Sequence, residues 1–271
     1  MNLTSPSQVK AWCIESGFHP NKVMGQNFLV DRNVLEAIVD AGLAGVDAES
    51  PAVLEVGPGL GVMTEEMLRR GCRVTAVEKD PVLAGRLAES LGSPAGLTVV
   101  AGDALAVLER GVLELGGFDA MVSNLPYQAG TRILLDVVAA RAPKAITVLV
   151  QTEVAERLAA KEGSKTRGLA GVWAQLDYDV RIVRRVSASC FWPRPQVGSC
   201  VVRLDRHERN ASLTAEERRL FRSLTKRAFS QRRKQLGKVL KDMVQSTARA
   251  EELANEDWIA LTKGLIENED T

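Results

Sequence analysis

The chain has 271 residues, of which 45% are apolar and 25% charged, and its formal net charge is +1. This composition is typical of a folded globular protein and excludes disordered and fibrous classes, and no run of 18 apolar residues or signal-like start is found. With four scattered cysteines and only two histidines, we expect a cytoplasmic, reduced protein with no metal site and no membrane partner.

The first two predicted elements are helices. Ser5 is expected to cap the first helix, Pro6 to open it, Gln8 to complete a capping box and Gly17 to end it. Asp31 is expected to cap a second, amphipathic helix. Its predicted apolar face comprises Val34, Leu35, Ile38, Val39 and Leu43.

From Pro51 onward, short apolar runs alternate with helical patterns. The runs cover residues 52–56, 73–78, 97–101, 118–124 and 145–151. Near-continuous apolar strands that alternate with helices predict a mostly parallel sheet covered on both faces, an α/β fold. A helix follows residue 151, and the strand-like stretches 171–186 and 198–207 then predict a hairpin at one end of the sheet.

The C-terminal region differs in pattern and in charge. It reads as helical from Leu213, with Thr214 as a cap and Glu217 three residues later, so we place a domain boundary near 205–213. Residues 214–245 carry ten Lys and Arg against three acidic residues, a net +7, which leaves about −6 for the rest of the chain. This asymmetry indicates either a nucleic-acid-binding appendage or an ordinary solvated helical face.

A glycine-rich turn is the strongest local motif. Gly57, Gly59 and Gly61 lie between a predicted strand and a predicted helix, where glycine permits a tight turn and a close approach of the backbone to a ligand. Glu78 ends the next strand, at the distance expected for a carboxylate that accepts hydrogen bonds from ribose hydroxyls. These features predict a site for an adenosine-containing cofactor, and by themselves fit both NAD and S-adenosylmethionine.

Two later strand ends favour methyl transfer. Asp103 follows the third strand and is suited to accept from an adenine amino group. The fourth strand ends in Asn124-Leu125-Pro126-Tyr127, which is either a simple turn or a target site. In a target site the Asn124 oxygen and the Leu125 or Pro126 carbonyl accept the two N–H groups of an exocyclic amine, and Tyr127 stacks on the extruded base.

The sequence resembles the ribosomal RNA adenine dimethyltransferase family, within it the KsgA/RsmA branch that modifies small-subunit rRNA. The resemblance covers nearly the whole chain. The motifs that carry it are GQNFLVD (25–31), LEVGPGLG (54–61), VEKD (77–80), GDA (102–104), NLPY (124–127), QTEVAERLAAKEGSK (151–165), FWPRPQVGSCVVRL (191–204) and FSQRRKQL (229–236).

The resemblance implies a class I, Rossmann-like methyltransferase domain over residues 1–208 and a small all-α, RNA-binding domain over residues 209–271. It implies S-adenosylmethionine as cofactor, S-adenosylhomocysteine as product, and small-subunit rRNA within a 30S pre-ribosomal particle as partner of a monomeric enzyme. The activity implied is N6-dimethylation of two adjacent adenosines in the 3′-terminal hairpin of 16S rRNA. The cofactor residues implied are Asn27, Leu29, Gly57, Gly59, Gly61, Glu78, Asp103 and Asn124.

The RNA-binding residues are expected to be Lys226, Arg227, Arg232, Arg233 and Lys234. Phe191 is expected either to form a second wall for the target base or to be a core aromatic beside Trp192. Arg167 stands where members of the family usually carry an aromatic residue. This difference affects how the loop that contains Arg167 is expected to contact RNA.

Three alternatives remain at this point. Erm-type enzymes, which methylate large-subunit rRNA and confer macrolide resistance, share the fold and the Asn-x-Pro-Tyr pattern. A ribosome-assembly checkpoint factor would bind an immature particle and use catalysis only secondarily. An NAD-dependent oxidoreductase is disfavoured by the NLPY motif and the lack of a suitable histidine.

Overall fold

The computed structural model describes residues 1–21, 24–241 and 243–269, and in the helix that ends the chain it describes side chains only up to 267. Asp242, one of the three acidic residues counted above, lies outside the described residues. The chain divides into two compact units. The first comprises Met1–Ala155 and Arg181–Arg206, and the second Glu156–Val180 and His207–Thr271.

Helices and strands alternate through most of the first unit, and the bounds of the strands and helices of both units are as follows. The strands are β1 (Phe28–Leu29), β2 (Ala52–Val56), β3 (Arg73–Glu78), β4 (Leu97–Ala101), β5 (Ala120–Asn124), β6 (Ala145–Gln151), β7 (Tyr178–Val186), β8 (Phe191–Trp192) and β9 (Ser199–Arg206). The helices are α1 (Pro6–Glu15), α2 (Arg32–Leu43), α3 (Val62–Arg69), α4 (Pro81–Ser90), α5 (Ala104–Glu109), α6 (Gly130–Ala139), α7 (Thr152–Ala159), α8 (Leu169–Ala174), α9 (Ala215–Ser230), α10 (Leu236–Val239) and α11 (Asn255–Glu269).

Seven strands form one sheet in the order β4-β3-β2-β5-β6-β9-β7. Strands β2 to β6 pair in parallel, and β9 lies antiparallel to β6. The five predicted parallel strands are confirmed, and four of them match residue for residue. The strand order reverses between β2 and β5, and ligands in such sheets bind at the carboxyl ends of the strands beside this point.

The two N-terminal helices are confirmed, with one correction. Asp31 caps α2 by accepting from the Val34 N–H, and the predicted apolar face of α2 packs into the core. The predicted capping box of α1 is not formed, because the Ser5 side chain makes no capping hydrogen bond. Gln8 instead accepts from the backbone N–H of Asn2 at 2.8 Å.

The strand predicted over 171–186 is correct only in its second half. Its first residues form α8, because Val172 and Leu176 pack with the helices of the second unit. Strand β7 follows at the sheet edge beside β9, so the two predicted strands are neighbours in the sheet.

The second unit is a helical cluster. Thr214 and Glu217 form the predicted capping box of α9, and Leu224, Leu236 and Trp258 lie in the apolar interior. The second unit also includes residues 156–180, so its residue range differs from the predicted domain of residues 209–271. That segment joins it because α8 packs on α9, a contact between residues distant in sequence. No helix in the described part of the chain is long and apolar enough to cross a membrane.

Candidate active site

A cavity of about 340 Å³ opens in the first unit at the carboxyl ends of β2, β3, β4 and β5. Its lining comes mainly from residues 24–29, the glycine turn after β2, and the segments at the ends of β3, β4 and β5. The volume falls in the range of small-molecule sites, roughly 300–1,000 Å³. The sheet topology therefore gathers most of the predicted cofactor and target residues, all except Gly61 and Phe191, around one space.

The glycine turn divides into two positions that face the cavity and one that packs. Gly57 and Gly59 line the cavity. Their backbone φ angles are +71° and +60°, in a region that residues other than glycine rarely adopt. Gly61 is not among the lining residues. It precedes α3, and a Cβ on it would lie 2.7 Å from Leu87 Cδ1. Gly61 therefore packs on Leu87 of α4, and its predicted cofactor contact stays a prediction that the cavity lining does not support.

Glu78 lies at the end of β3 and is only 6% exposed. Its Oε2 accepts from the Gly59 N–H at 3.0 Å and its Oε1 from the Asp80 N–H at 2.9 Å. Burial raises the pKa of this carboxyl, and the backbone hydrogen bonds oppose that rise. Because each carboxylate oxygen can accept more than one hydrogen bond, Glu78 retains acceptor capacity toward a ligand in the cavity.

Asp103 follows β4 and lies at the cavity wall, half exposed. Its Oδ1 caps α5 by accepting from the Leu105 N–H, and its Oδ2 pairs with Lys79 Nζ at 2.8 Å. The hydrogen bond with Lys79 lowers the pKa of Asp103. The carboxylate is thus held ionised, as an acceptor at the end of β4.

Asn124 ends β5, and its amide is oriented by the backbone of the segment before β1. Its Nδ2 donates to the Asn27 carbonyl at 3.2 Å, which leaves Oδ1 as an acceptor at the cavity. The Pro126 carbonyl accepts from the Gly130 N–H at 2.7 Å. Of the two carbonyls predicted for the target amine, that of Pro126 is therefore engaged in starting α6.

Tyr127 lines the cavity, and its hydroxyl lies 2.8 Å from the Ser199 hydroxyl on β9. Ser199 is buried, so this hydrogen bond holds the ring in one orientation. Phe191 instead packs in the core and pairs with Leu29 across β8 and β1. It does not line the cavity, so the predicted stacking role is not supported and the core alternative fits.

Several cavity-lining residues were not predicted from the sequence, among them Gln26, Phe28 and Lys79. The Phe28 ring covers the glycine turn so closely that a Cβ on Gly59 would lie 3.1 Å from it. Gln26 and Phe28 lie beside Asn27 and Leu29 in the motif GQNFLVD (25–31), and this motif was the sequence signal that could have identified them. Asn27 and Leu29 also line the cavity, and their contact with the cofactor stays a prediction.

The predicted RNA-binding cations lie in the second unit. Lys226 and Arg227 are exposed on α9, whereas residues 232–234 follow the end of that helix in a turn. Arg233 and Lys234 are exposed, but Arg232 donates to the Lys165 carbonyl at 2.8 Å and lies 3.8 Å from a Glu251 oxygen. Arg232 is therefore held by a structural contact, and Arg227 Nη1 also lies 3.9 Å from Met243 Sδ.

Arg167 is buried in the second unit, only 1% exposed. Its guanidinium donates to the Ala160 carbonyl and to the side-chain oxygens of Gln175 and Asn255. Burial lowers the pKa of Arg167. The Arg167 guanidinium therefore serves the interior of the unit rather than its surface.

Comparison with known proteins decides the family. A family model described as ribosomal RNA adenine dimethylase matches residues 17–263. The chain belongs to this family. Proteins named ribosomal RNA small subunit methyltransferase A are similar to it. The Mycobacterium tuberculosis protein is 42% identical over 86% of this chain and 74% of its own length. That of Rhodococcus erythropolis is 40% identical over 92% and 84%.

Solved structures share the fold. A dimethyladenosine transferase from Plasmodium falciparum superposes with a TM-score of 0.75 at 21% identity, over 89% of this chain and 98% of that one. The 23S rRNA methyltransferase ErmE superposes with a TM-score of 0.66 at 25% identity, over 89% of this chain and 100% of that one. The Rossmann-like methyltransferase fold with a C-terminal helical region is confirmed.

Proposed function

We propose that this protein transfers methyl groups from S-adenosylmethionine to N6 of two adjacent adenosines in the 3′-terminal hairpin of small-subunit rRNA. The substrate is a 30S pre-ribosomal particle, the product cofactor is S-adenosylhomocysteine, and the protein acts as a monomer in the cytoplasm. The observation that carries this proposal is the Asn124 amide, fixed at the edge of a cofactor-sized cavity with its oxygen available.

The cavity suits S-adenosylmethionine. The left-handed backbone of Gly57 and Gly59 leaves room beside the turn for the methionine end, and the buried Glu78 carboxylate is suited to the ribose hydroxyls. Asp103, held ionised by Lys79, is suited to the adenine amino group. When bound, the cofactor supplies an electrophilic methyl group on a positively charged sulfur.

The target side suits an exocyclic amine. Such an amine is a weak nucleophile because its lone pair is delocalised into the ring. Asn124 Oδ1 and the Leu125 carbonyl are the acceptors that we assign to its two N–H groups, which would orient the amine and leave its lone pair free to react. The Tyr127 ring, held by Ser199, offers a flat face for the flipped base.

Small-subunit rRNA is favoured over large-subunit rRNA by the comparisons. The relatives at 40–42% identity are named small-subunit methyltransferases, whereas the large-subunit enzyme ErmE is 25% identical. The basic residues of the second unit support an RNA-bearing substrate, and the complete set of site residues favours catalysis over a purely binding role.

Transfer of a labelled methyl group tests this function. The purified protein is incubated with labelled S-adenosylmethionine and either 30S particles that lack the modification or protein-free 23S rRNA. We expect labelling of 16S rRNA in the particles, with dimethyladenosine after nuclease digestion. Labelling of 23S rRNA alone would establish the Erm-type alternative, and no labelling of either would refute the proposal.

A further inference from the structure

We propose that Gln26 is a positioning residue that ties residues 24–29, here called the cavity-edge segment, to the cofactor side of the cavity. The same segment orients Asn124 on the target side. Loss of the Gln26 contact would therefore weaken cofactor binding and slow the chemical step together. This inference rests on the proposed function, because it assigns a role within that site.

The Gln26 side chain makes a bridge on the cofactor side. Its Nε2 donates to Asp80 Oδ2 at 2.8 Å, and its Oε1 accepts from the Asn21 N–H at 2.7 Å. Both ends of the amide are thus used, across a sequence separation of 54 residues on the Asp80 side. A hydrogen bond to an ionised acceptor is stronger than a neutral one, so this contact can hold the segment in place.

Asp80 is a rigid anchor for that bridge. It is buried, and its Oδ1 caps α4 by accepting from the Val82 N–H at 2.9 Å. Its own backbone N–H donates to Glu78 Oε1. Gln26 is therefore joined through one residue to the carboxylate assigned to the ribose.

The neighbours of Gln26 reach the target side. The Asn27 carbonyl accepts a hydrogen bond from Asn124 Nδ2, so Oδ1 is the acceptor atom of an amide that lines the cavity. Gly25 has a φ of +68°, and a Cβ on it would lie 3.6 Å from the backbone nitrogen of Tyr127. A displacement of the segment would thus disturb the Asn124 amide and crowd the turn that carries Tyr127.

The Gln26→Glu variant is the sharpest test. It keeps the size of the side chain and the acceptor for the Asn21 N–H, but it removes the donor and places a carboxylate against Asp80. Gln26→Ala removes the whole bridge and checks the result without a new charge. Gln8→Glu is the matched control, because Gln8 also accepts a backbone N–H, that of Asn2, but is exposed and does not line the cavity.

Three measurements are compared in wild type and variants. They are the affinity for S-adenosylhomocysteine by calorimetry, amide hydrogen exchange at residues 24–29, and kcat and KM for methylation of 30S particles. For both Gln26 variants we expect about tenfold weaker affinity, faster exchange in the segment and a lower kcat. The Gln8 control is expected to stay within about twofold of wild type.

The outcomes separate this inference from the proposed function. A wild-type protein that neither binds S-adenosylhomocysteine nor methylates rRNA refutes the function itself. If the wild type is active and Gln26→Glu matches it in affinity and in exchange, the positioning role is overturned. Weaker affinity with an unchanged kcat would overturn the link from Gln26 to Asn124.

Discussion

At the scale of single residues, we propose that Asn124 carries the chemistry. We expect Asn124→Ala to abolish methyl transfer while the affinity for S-adenosylmethionine stays within a few-fold of wild type. The reason is that we assign Asn124 to the target amine, whereas we assign Glu78, Asp103 and the glycine turn to the cofactor. Loss of such positioning can raise a barrier by several kcal/mol. Labelled transfer and calorimetry measure the two effects, and near-wild-type turnover would contradict the assignment.

Glu78 is expected to act on binding instead. We expect Glu78→Ala to weaken cofactor affinity by about 1.5–3 kcal/mol, because a charge-assisted acceptor is lost. Glu89→Ala is the control, since that carboxylate is exposed on α4 and does not line the cavity. Calorimetry with S-adenosylhomocysteine measures both, and unchanged affinity in a folded Glu78 variant would remove the ribose role.

Glu55, which lies on β2 just before the glycine turn, is expected to make the stability of the protein depend on pH. It is 0% exposed, its Oε2 accepts from the Thr64 hydroxyl at 2.6 Å, and its Oε1 has no hydrogen-bond partner among the described residues. Burial raises the pKa of Glu55 to about 8 from an ordinary 4.5. The folded protein therefore keeps a proton that the unfolded chain releases, and stability falls as pH rises between these two values.

Glu55→Gln tests that linkage. The amide keeps the size of the side chain and an oxygen for Thr64 but cannot ionise. Between about pH 5 and pH 9 we expect wild type to lose a few kcal/mol of unfolding free energy that the variant retains, after changes common to both are subtracted. Urea unfolding at several pH values measures this, and parallel curves for the two proteins would show that Glu55 stays ionised when folded.

At the scale of elements, α9 depends on its N-terminal capping box. Thr214 accepts from the Glu217 N–H at 3.1 Å, and the Glu217 carboxylate accepts from the Thr214 N–H at 2.6 Å. We expect Thr214→Ala to lower the free energy of unfolding by about 1 kcal/mol. Ser223→Ala, an exposed change within the same helix, is expected to have almost no effect. Equal stabilities of the two variants, measured in urea, would show that the cap contributes nothing.

The elements also show where local patterns suffice. Strands β2 to β6 were predictable because each is a short apolar run bounded by turn residues. Residues 171–186 were not, because Val172 and Tyr178 both belong to apolar patterns that suit a helix or a strand over a few residues. The contact of α8 with α9 resolves this ambiguity, and it lies outside the local sequence.

At the scale of the whole molecule, the two units are expected to separate chemistry from substrate affinity. Lys226, Arg233 and Lys234 are exposed and have no ion-pair partner within the described part of the chain. We expect their joint replacement by Ala to weaken binding to 30S particles and to reduce the salt slope by about 1 per lost phosphate contact. The affinity for S-adenosylhomocysteine should not change, because the cavity is lined by the first unit.

A control triple distinguishes a specific surface from general charge. Replacing Lys10, Arg110 and Lys144 of the first unit by Ala removes the same charge from exposed positions. Filter binding at several salt concentrations compares the two triples with wild type. Equal losses of affinity for 30S particles in the two triple variants would indicate non-specific attraction. No loss in either variant would support the alternative that the basic residues form only a solvated helical face. Arg232 is left intact because its contacts with Lys165 and Glu251 are structural.

By itself, the sequence determined the α/β core, the strand ends at which Glu78, Asp103 and Asn124 stand, and the chemistry those residue types allow. Only the tertiary structure decided that Phe191 is a core residue, that Gly61 packs on Leu87, and which groups orient the site. Strand periods, caps and turns depend on residues close in sequence. The hydrogen bonds that hold Asn124 and Tyr127 join residues 97 and 72 positions apart, so only the folded chain brings them together.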